Sequence, residues 1–319
     1  MGAVEPGAQR LDAVSPFVVD SQNEGAYQRW RLNKLNAYPR RVEALLVPVR
    51  DMRRLDSEEL AAIGARVKRC NMAVYQCRQR QDGLPVAQQD AEASHLRALG
   101  EQLGLGVPDG NWLAEEDGVS RIEVVDDSQR AAKPRGEYIP YTDRPIRWHT
   151  DGYYHPPERR IRAMALHCVR PAQTGGENSL LDHELLYILL RDQNPEHIRA
   201  LMAEDALTIP ARVGERRVER PTQTGPVFWL DKHGALFMRY TDRTQSIVWK
   251  DDAATLAAVE ALKKTLKGAA APWVFHLKLK AGMGVLCNNV LHARSGFSDG
   301  GGASRLLYRA RYTRGMMSH

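Results

Sequence analysis

Cysteine is scarce in this chain: four occur in 319 residues, at positions 70, 77, 168 and 287, and no two of them form a C-x-x-C pair. That spacing excludes a zinc ribbon and a dithiol redox motif, and reduced thiols in a cytosolic protein are the simplest reading. Long apolar runs are missing as well. The longest leucine-rich stretch, LLYILL at Leu185–Leu190, has the size of a core helix rather than a membrane span. The amino-terminal MGAVEPGAQRLDAVSP has no basic segment leading into an apolar one, which a secretory signal requires. Pro6 stands where a myristoylation motif needs Ser or Thr. Repeats and low-complexity tracts are absent. A cytoplasmic protein without a membrane partner is the expectation.

What is present is an ordinary globular composition. Hydrophobic residues make up 43% and charged residues 26%, enough to bury a core in one large domain or two small ones. Lys and Arg number 45 against 39 Asp and Glu, a formal net charge of +6, and the isoelectric point is about 9.2. A nucleic-acid surface would cluster these cations among aromatics or within a known module. Here they are scattered, apart from small groups such as Arg159-Arg160-Arg162 and Arg216-Arg217. Attraction of a small acidic substrate is the better fit, with a solvated basic surface as the plain alternative.

Along the chain, residues 1–40 show no clear period and read as an amino-terminal arm. Residues 41–319 read as one domain. Asp56-Ser57-Glu58-Glu59 predicts a capped helix start, with the helix running to about Arg69. MAVYQCR (Met72–Arg78) reads as a strand, and Ala87–Leu103 as a helix stopped by Gly104. IEVV (Ile122–Val125) reads as a short strand, and Asp126–Ile146 as a long loop. IRAMALHCV (Ile161–Val169) has the pattern of a buried strand, and Gly175-Gly176 of a turn. Two short helices split near Asn194-Pro195 form an insertion over 182–204. Strand candidates follow in ALTIPARV, PVFWLD and ALFMRY, then an amphipathic helix over Asp251–Lys267. WVFHLKLK (Trp273–Lys280), VLCNN and RLLYRARY (Arg305–Tyr312) complete the strands. Many short strands with helical additions predict a β-sandwich or barrel.

The stretch RWHTDGYYHPP (Arg147–Pro157) carries the first chemical signal. On an extended strand residues i and i+2 share a face, so His149 and Asp151 project together while Thr150 turns away. An imidazole and a carboxylate side by side suit a borderline divalent metal, though an isolated H-x-D is more often a hydrogen bond at a strand end. A third ligand is offered by His292 in CNNVLHARSGF. Two His and one carboxylate leave three octahedral positions open, the facial arrangement of non-haem Fe(II) oxygenases, whereas structural zinc wants four closed ligands. In RLLYRARY, strand parity puts Arg305, Leu307, Arg309 and Arg311 on one face and Leu306, Tyr308, Ala310 and Tyr312 on the other. A guanidinium fork there would suit a carboxylate, and a basic edge strand facing water is the competing reading. His167 reads as a satisfied core residue, His276 as solvated, and His155, His183 and His233 as loop or helix-start residues. Trp148 reads as packing, and Arg294 as a further anion contact.

Taken in order, WHTD, the GGEN turn, NNVLH and RLLYRA resemble the taurine/2,4-dichlorophenoxyacetate dioxygenase family of Fe(II)- and 2-oxoglutarate-dependent enzymes. The resemblance covers roughly Ile122–Tyr312. It implies a mostly β, double-stranded β-helix (jelly-roll) fold. It also implies that His149, Asp151 and His292 ligate iron and that Arg305 pairs with the distal carboxylate of 2-oxoglutarate. Arg309 matches a second Arg that binds an acidic substrate or the oxo-acid end. Asn178 stands where family members usually have Thr against 2-oxoglutarate. Tyr153 and Tyr154 follow the Asp ligand and would wall the substrate side. The implied activity consumes O2 and 2-oxoglutarate, releases succinate and CO2, and hydroxylates a small acidic or amino-acid-like substrate, or cleaves it by way of hydroxylation. Asp151 disfavours halogenation, which requires a small residue at that position. The alternative reading is a non-catalytic or zinc-binding jelly roll. Homo-oligomerisation is left open.

Overall fold

The chain is described by a computed structural model over residues 15–77, 86–110, 118–124, 138–213, 218–243, 247–301 and 303–316. Two facing sheets organise it. Their strands are β1 (Leu46–Val49), β2 (Met72–Cys77), β3 (Ser120–Ile122), β4 (Ile146–His149), β5 (Ala163–Arg170), β6 (Asn178–Leu181), β7 (Phe275–Leu277), β8 (Met283–Cys287), β9 (Leu291–Arg294) and β10 (Leu306–Tyr312). The larger sheet has the order β1-β2-β8-β5-β10-β3, and the smaller β7-β6-β9-β4. Apart from β1 against β2, the pairings within both sheets are antiparallel. From β3 to β6, and again from β7 to β10, successive strands alternate between the sheets. That winding is the double-stranded β-helix expected from the sequence.

Strand β5 shows why its run reads as uniformly apolar. Ala163, Ala165 and Val169 face a cluster completed by Ile63, Val67, Leu96 and Leu99. Those last four residues come from helices α1 (Ser57–Cys70) and α2 (Val86–Gln102), which cover the outer face of the larger sheet. Met164 and Cys168 face the other way, into the cluster between the two sheets. A strand buried on both faces loses its alternation. Strand β10 behaves as parity requires. Leu306, Tyr308, Ala310 and Tyr312 join the outer cluster, while Leu307 enters the inner one. Around β7 the alternation also holds: Phe275, Leu277 and Leu279 are buried, and His276 is exposed. The regular strand covers only Phe275–Leu277 of the longer expected run.

The inner cluster continues into three more helices, α3 (His183–Gln193), α4 (Pro195–Leu201) and α5 (Ala253–Lys267). The split between α3 and α4 falls at Asn194-Pro195 because Pro195 has no N–H to continue a helix and Asn194 caps the next one, accepting from Glu196 N at 3.0 Å. The start of α1 is also as expected. Glu59 N donates to Asp56 Oδ1 at 2.8 Å and Asp56 N to Glu59 Oε2 at 3.0 Å, a reciprocal cap. The strand expected at Ile122–Val125 forms earlier, at Ser120–Ile122. Most of the loop expected over Asp126–Ile146 lies outside the described residues.

One stretch departs from its reading. Within residues 1–40, Glu24–Ala37 forms a fourteen-residue α-helix rather than irregular chain. Its pattern escapes notice because it buries Tyr27 and Lys34 instead of an aliphatic row. Tyr27 Oη donates to Asp192 Oδ1 at 2.7 Å, and Arg191 lies 3.7 Å from the centre of the Tyr27 ring. Lys34 Nζ sits 2.6 Å from Asp182 Oδ2, both side chains nearly inaccessible, and also pairs with Glu184. Removing one member of a buried ion pair leaves the other charge stranded. Lys34→Ala should therefore lower unfolding free energy by about 3 kcal/mol, read from the midpoint of urea denaturation.

Candidate metal centre

The register between β4 and β9 sets His149 directly opposite His292. Their ring centres lie 4.2 Å apart. Asp151 follows β4 by two residues, and one ligand atom from each of the three side chains lies within 4.8 Å of the others. Both imidazoles are oriented by their own backbone. His149 Nδ1 is 2.9 Å from the Arg147 carbonyl oxygen, and His292 Nδ1 is 2.9 Å from that of Val290. A nitrogen facing a carbonyl must carry the proton, so each Nε2 presents a lone pair. Burial, then the facing His292, pushes the His149 pKa down to about 3, and burial lowers that of His292. Both rings are therefore neutral, as ligands must be. Burial acts to protonate Asp151, but Arg309, with help from His292 and Arg311, holds its carboxyl well below the usual carboxylate range.

Asp151 is held from both sides. Its Oδ1 accepts from Arg309 Nη1 at 3.0 Å, while its Oδ2 is buried with no protein partner among the described residues. A buried anionic oxygen without a donor is costly, and a cation is what it lacks. Asn289 holds the backbone. Its Oδ1 accepts from Asp151 N at 2.8 Å, and its Nδ2 donates to the carbonyls of Asp151 at 3.0 Å and Ile161 at 2.8 Å. Asn289 sits in the left-handed region, φ 47°, in the turn between β8 and β9. Thr150 points away as expected, fully buried, with Tyr240 N donating to its hydroxyl at 3.1 Å. Two neutral imidazoles and a carboxylate with an orphaned oxygen fit a divalent metal.

Beside the triad lies a cavity of about 50 Å³, open to solvent, lined by His149, His292, Asn178, Arg294, Arg305 and Arg309 among apolar neighbours including Leu166 and Leu307. Arg305 is 5% exposed and has no acidic ion-pair partner among the described residues. It stacks on Phe297, 5.0 Å from the ring centre. The Gly-Gly turn makes room for it. A Cβ on Gly176 would come within 3.4 Å of Arg305 Nε, and one on Gly175 within 2.2 Å of the Gly296 carbonyl, at φ values of +72° and +69°. Asn178 Nδ2 is buried without a partner among the described residues, and Asn178 lines the same cavity. A cation without an ion pair and an unpaired donor in one cavity fit a dicarboxylate such as 2-oxoglutarate.

The other expected residues fall as follows. Arg294 lines the cavity, but its fork is engaged by backbone: Nη2 donates to the Thr142 carbonyl at 2.8 Å and Nη1 to that of Pro140 at 3.4 Å. Tyr153 and Tyr154 lie outside the lining of this cavity and pack against the core edge. Tyr154 Oη accepts from Arg311 Nη1 at 3.2 Å. His167 is a core residue, bonded to Tyr75 Oη at 2.8 Å and Glu92 Oε2 at 2.6 Å. Asn289 is the residue that reading by motif passes over; its signal is an Asn at a tight turn immediately before the VLH strand.

A sequence model of the "Taurine catabolism dioxygenase TauD, TfdA family" matches residues 73–311. The chain belongs to that family. Membership brings with it the oxygenase class and the dependence on Fe(II), 2-oxoglutarate and O2 that the motifs imply. Among relatives, a uridine-5'-phosphate dioxygenase of Amycolatopsis sp is 29% identical over 169 residues, 52% of this chain and 60% of that protein. A uridine-5'-phosphate dioxygenase of Streptomyces sp is 28% identical over 246 residues, 72% of this chain and 85% of that protein. Among solved structures, a mutant of the non-haem iron oxygenase OrfP in complex with (3S)-hydroxy-L-Arg superposes with TM-score 0.59 at 20% identity, covering 82% of this chain and 81% of OrfP. A taurine dioxygenase from Burkholderia xenovorans gives TM-score 0.55 at 20% identity over 86% and 89% of the two chains. These two likenesses are of fold.

Within this TauD/TfdA chain Asn289 positions Asp151 and does not itself belong to the ligand cluster. Losing such a support typically weakens metal binding by about 10–100-fold. Asn289→Ala should show that loss in Fe(II) affinity by anaerobic titration, with secondary structure retained by circular dichroism.

Proposed function

We propose that this dioxygenase oxidises a C–H bond of a small phosphorylated, nucleoside-like substrate, with succinate and CO2 released from 2-oxoglutarate. The observation that carries the reading is the three ligand atoms within 4.8 Å of one another beside a cavity lined by buried Arg305. The substrate class rests on the names of the two relatives and on the excess of positive charge. It is the acidic branch of the substrate class the sequence implies. A structural zinc site is disfavoured, since the described residues offer three clustered ligands rather than four.

His149, Asp151 and His292 would hold the iron, which when bound with 2-oxoglutarate would supply the O2 chemistry needed to oxidise an unactivated C–H bond. Every other contribution comes from the protein. Arg305 takes the distal carboxylate of 2-oxoglutarate and Asn178 donates to the same molecule. Arg309 keeps Asp151 ionised and fixes one of its oxygens, leaving the other for the metal. It also offers its remaining edge toward the cavity, where it would meet an acidic group. Tyr153 and Tyr154 lie outside the cavity lining, directly after Asp151, and would border a substrate that extends beyond the cavity on that side. The four free cysteines, three of them buried, suit a reducing cytoplasm, where we place the reaction.

The test is succinate formation with Fe(II), 2-oxoglutarate, O2 and a panel of nucleoside 5'-monophosphates beside amino acids. A nucleoside monophosphate should give succinate and an oxidised product in equal amounts; coupling to amino acids alone would contradict the substrate class. Losing a charged hydrogen-bonding partner costs roughly 10–100-fold in binding. Arg305→Ala should raise the KM for 2-oxoglutarate by about that factor, and Arg305→Lys should recover part of it because a point charge replaces the fork.

A further inference from the structure

A two-stranded ribbon, Arg212–Val213 against Val218–Arg220, carries cations that the site described above does not use. Its register places Arg212 directly opposite Arg220. Like charges on directly opposed residues repel. Both guanidiniums are spread over tyrosine rings. Arg220 lies 5.2 Å from the centre of the Tyr154 ring, and Arg212 lies 4.6 Å from that of Tyr138. A guanidinium stacked on a ring keeps its hydrogen-bonding edge in a fixed direction.

The two tyrosines stand on the two chain segments that flank the metal centre. Tyr154 is three residues after Asp151, so their Cα atoms are at most about 11 Å apart. Its hydroxyl is bound by Arg311, which shares the inner face of β10 with Arg309. Tyr138 is two residues before Pro140, which lines the cavity. The ribbon thus touches chain segments on both sides of β4.

Arg220 also differs from a structural arginine. Arg239 nearby is saturated by backbone: it donates to the carbonyls of Pro226 at 3.2 Å and Gly225 at 2.7 Å, and also to that of Leu207. Arg220 makes one such bond, Nη2 to the Pro210 carbonyl at 2.9 Å. Its Nε is buried without a partner, and it forms no ion pair among the described residues. Exposed Arg243 is close enough that its charge is felt at both Tyr153 and Arg220. Arg220 and Arg243 thus lie beside the tyrosines that follow Asp151, with Arg212 across the ribbon over Tyr138.

We propose that Arg220, with Arg212 across the ribbon and Arg243 beside them, forms the subsite that seats the phosphate monoester of the substrate. This rests on the phosphorylated-substrate reading above. The phosphate is held away from the metal, and the rest of the substrate extends toward His149, Asp151 and His292.

Equilibrium dialysis of radiolabelled inorganic phosphate against the anaerobic Fe(II)- and 2-oxoglutarate-loaded enzyme tests the subsite independently of turnover. Wild type should bind phosphate. Arg220→Ala should bind it about tenfold more weakly or worse, the loss expected for one charged hydrogen-bonding partner. Arg220→Lys should fall between the two, and circular dichroism and 2-oxoglutarate binding report whether the variants are folded. Phosphate binding equal in wild type and Arg220→Ala, or absent in wild type, overturns the subsite. If phosphate binding depends on Arg220 but no nucleoside monophosphate yields succinate, the subsite stands and the nucleoside part of the functional reading falls. If a nucleoside monophosphate is turned over and Arg220→Ala leaves its KM unchanged, the subsite falls and the functional reading stands.

Discussion

The cross-strand register that sets His292 against His149 is the constraint on which the metal centre depends. A slip of β9 by one residue would turn His292 to the opposite face of the smaller sheet, away from His149. Two features pin it. Strand β9 is held on its other side by β6, with His292 paired to Leu180. The turn leading into β9 carries Asn289, whose amide ties Asp151 and Ile161 to that turn. The two imidazoles are thus fixed by a ladder, and the carboxylate by a side-chain clamp.

Charge is arranged in layers behind the ligands. Arg309 pairs with Asp151, and Arg311 bridges Tyr154 and Asp109. Asp109 in turn accepts from Arg159 at 2.6 Å. Arg309 and Arg311 on the inner face of β10 are each matched by an acid in direct contact, whereas Arg305, immediately before the strand, has none among the described residues. Burial depresses the Arg305 pKa, and the charge of Asp299 offsets that only in part. A cation left without a contacting acid in the interior is costly to stability, and it is retained where a ligand supplies the missing charge. Phe297 is stacked by both Arg305 and Arg294, 5.0 and 4.8 Å from its ring centre.

Much of this is legible in the sequence, for identifiable reasons. Asp56 and Glu59, Asn194-Pro195 and the double glycine at 175–176 are local signals, and they place elements wherever the rest of the chain goes. The parity of RLLYRARY separates arginines from apolar residues because a strand has a period of two. The triad is readable as residue types in a family order; composition alone would leave His149 and Asp151 as a hydrogen-bonded pair. What escapes is set by tertiary contact. Helix Glu24–Ala37 has no apolar stripe, since it docks through Tyr27 and an ion pair to Asp182 more than a hundred residues away. Asn289 and Arg220 carry no local motif for their roles. Their meaning comes from the segments that folding brings against them. Arg309, read as free for substrate, spends one edge on Asp151.

The most direct measurement is anaerobic addition of Fe(II) and 2-oxoglutarate to the full chain, followed by visible absorption spectroscopy. Wild type should develop the weak metal-to-ligand charge-transfer band of a 2-oxo acid chelated to ferrous iron, and His292→Ala and Asp151→Ala should each lack it. A wild-type chain that binds iron without that band, or variants that retain it unchanged, would contradict a centre built from His149, Asp151 and His292.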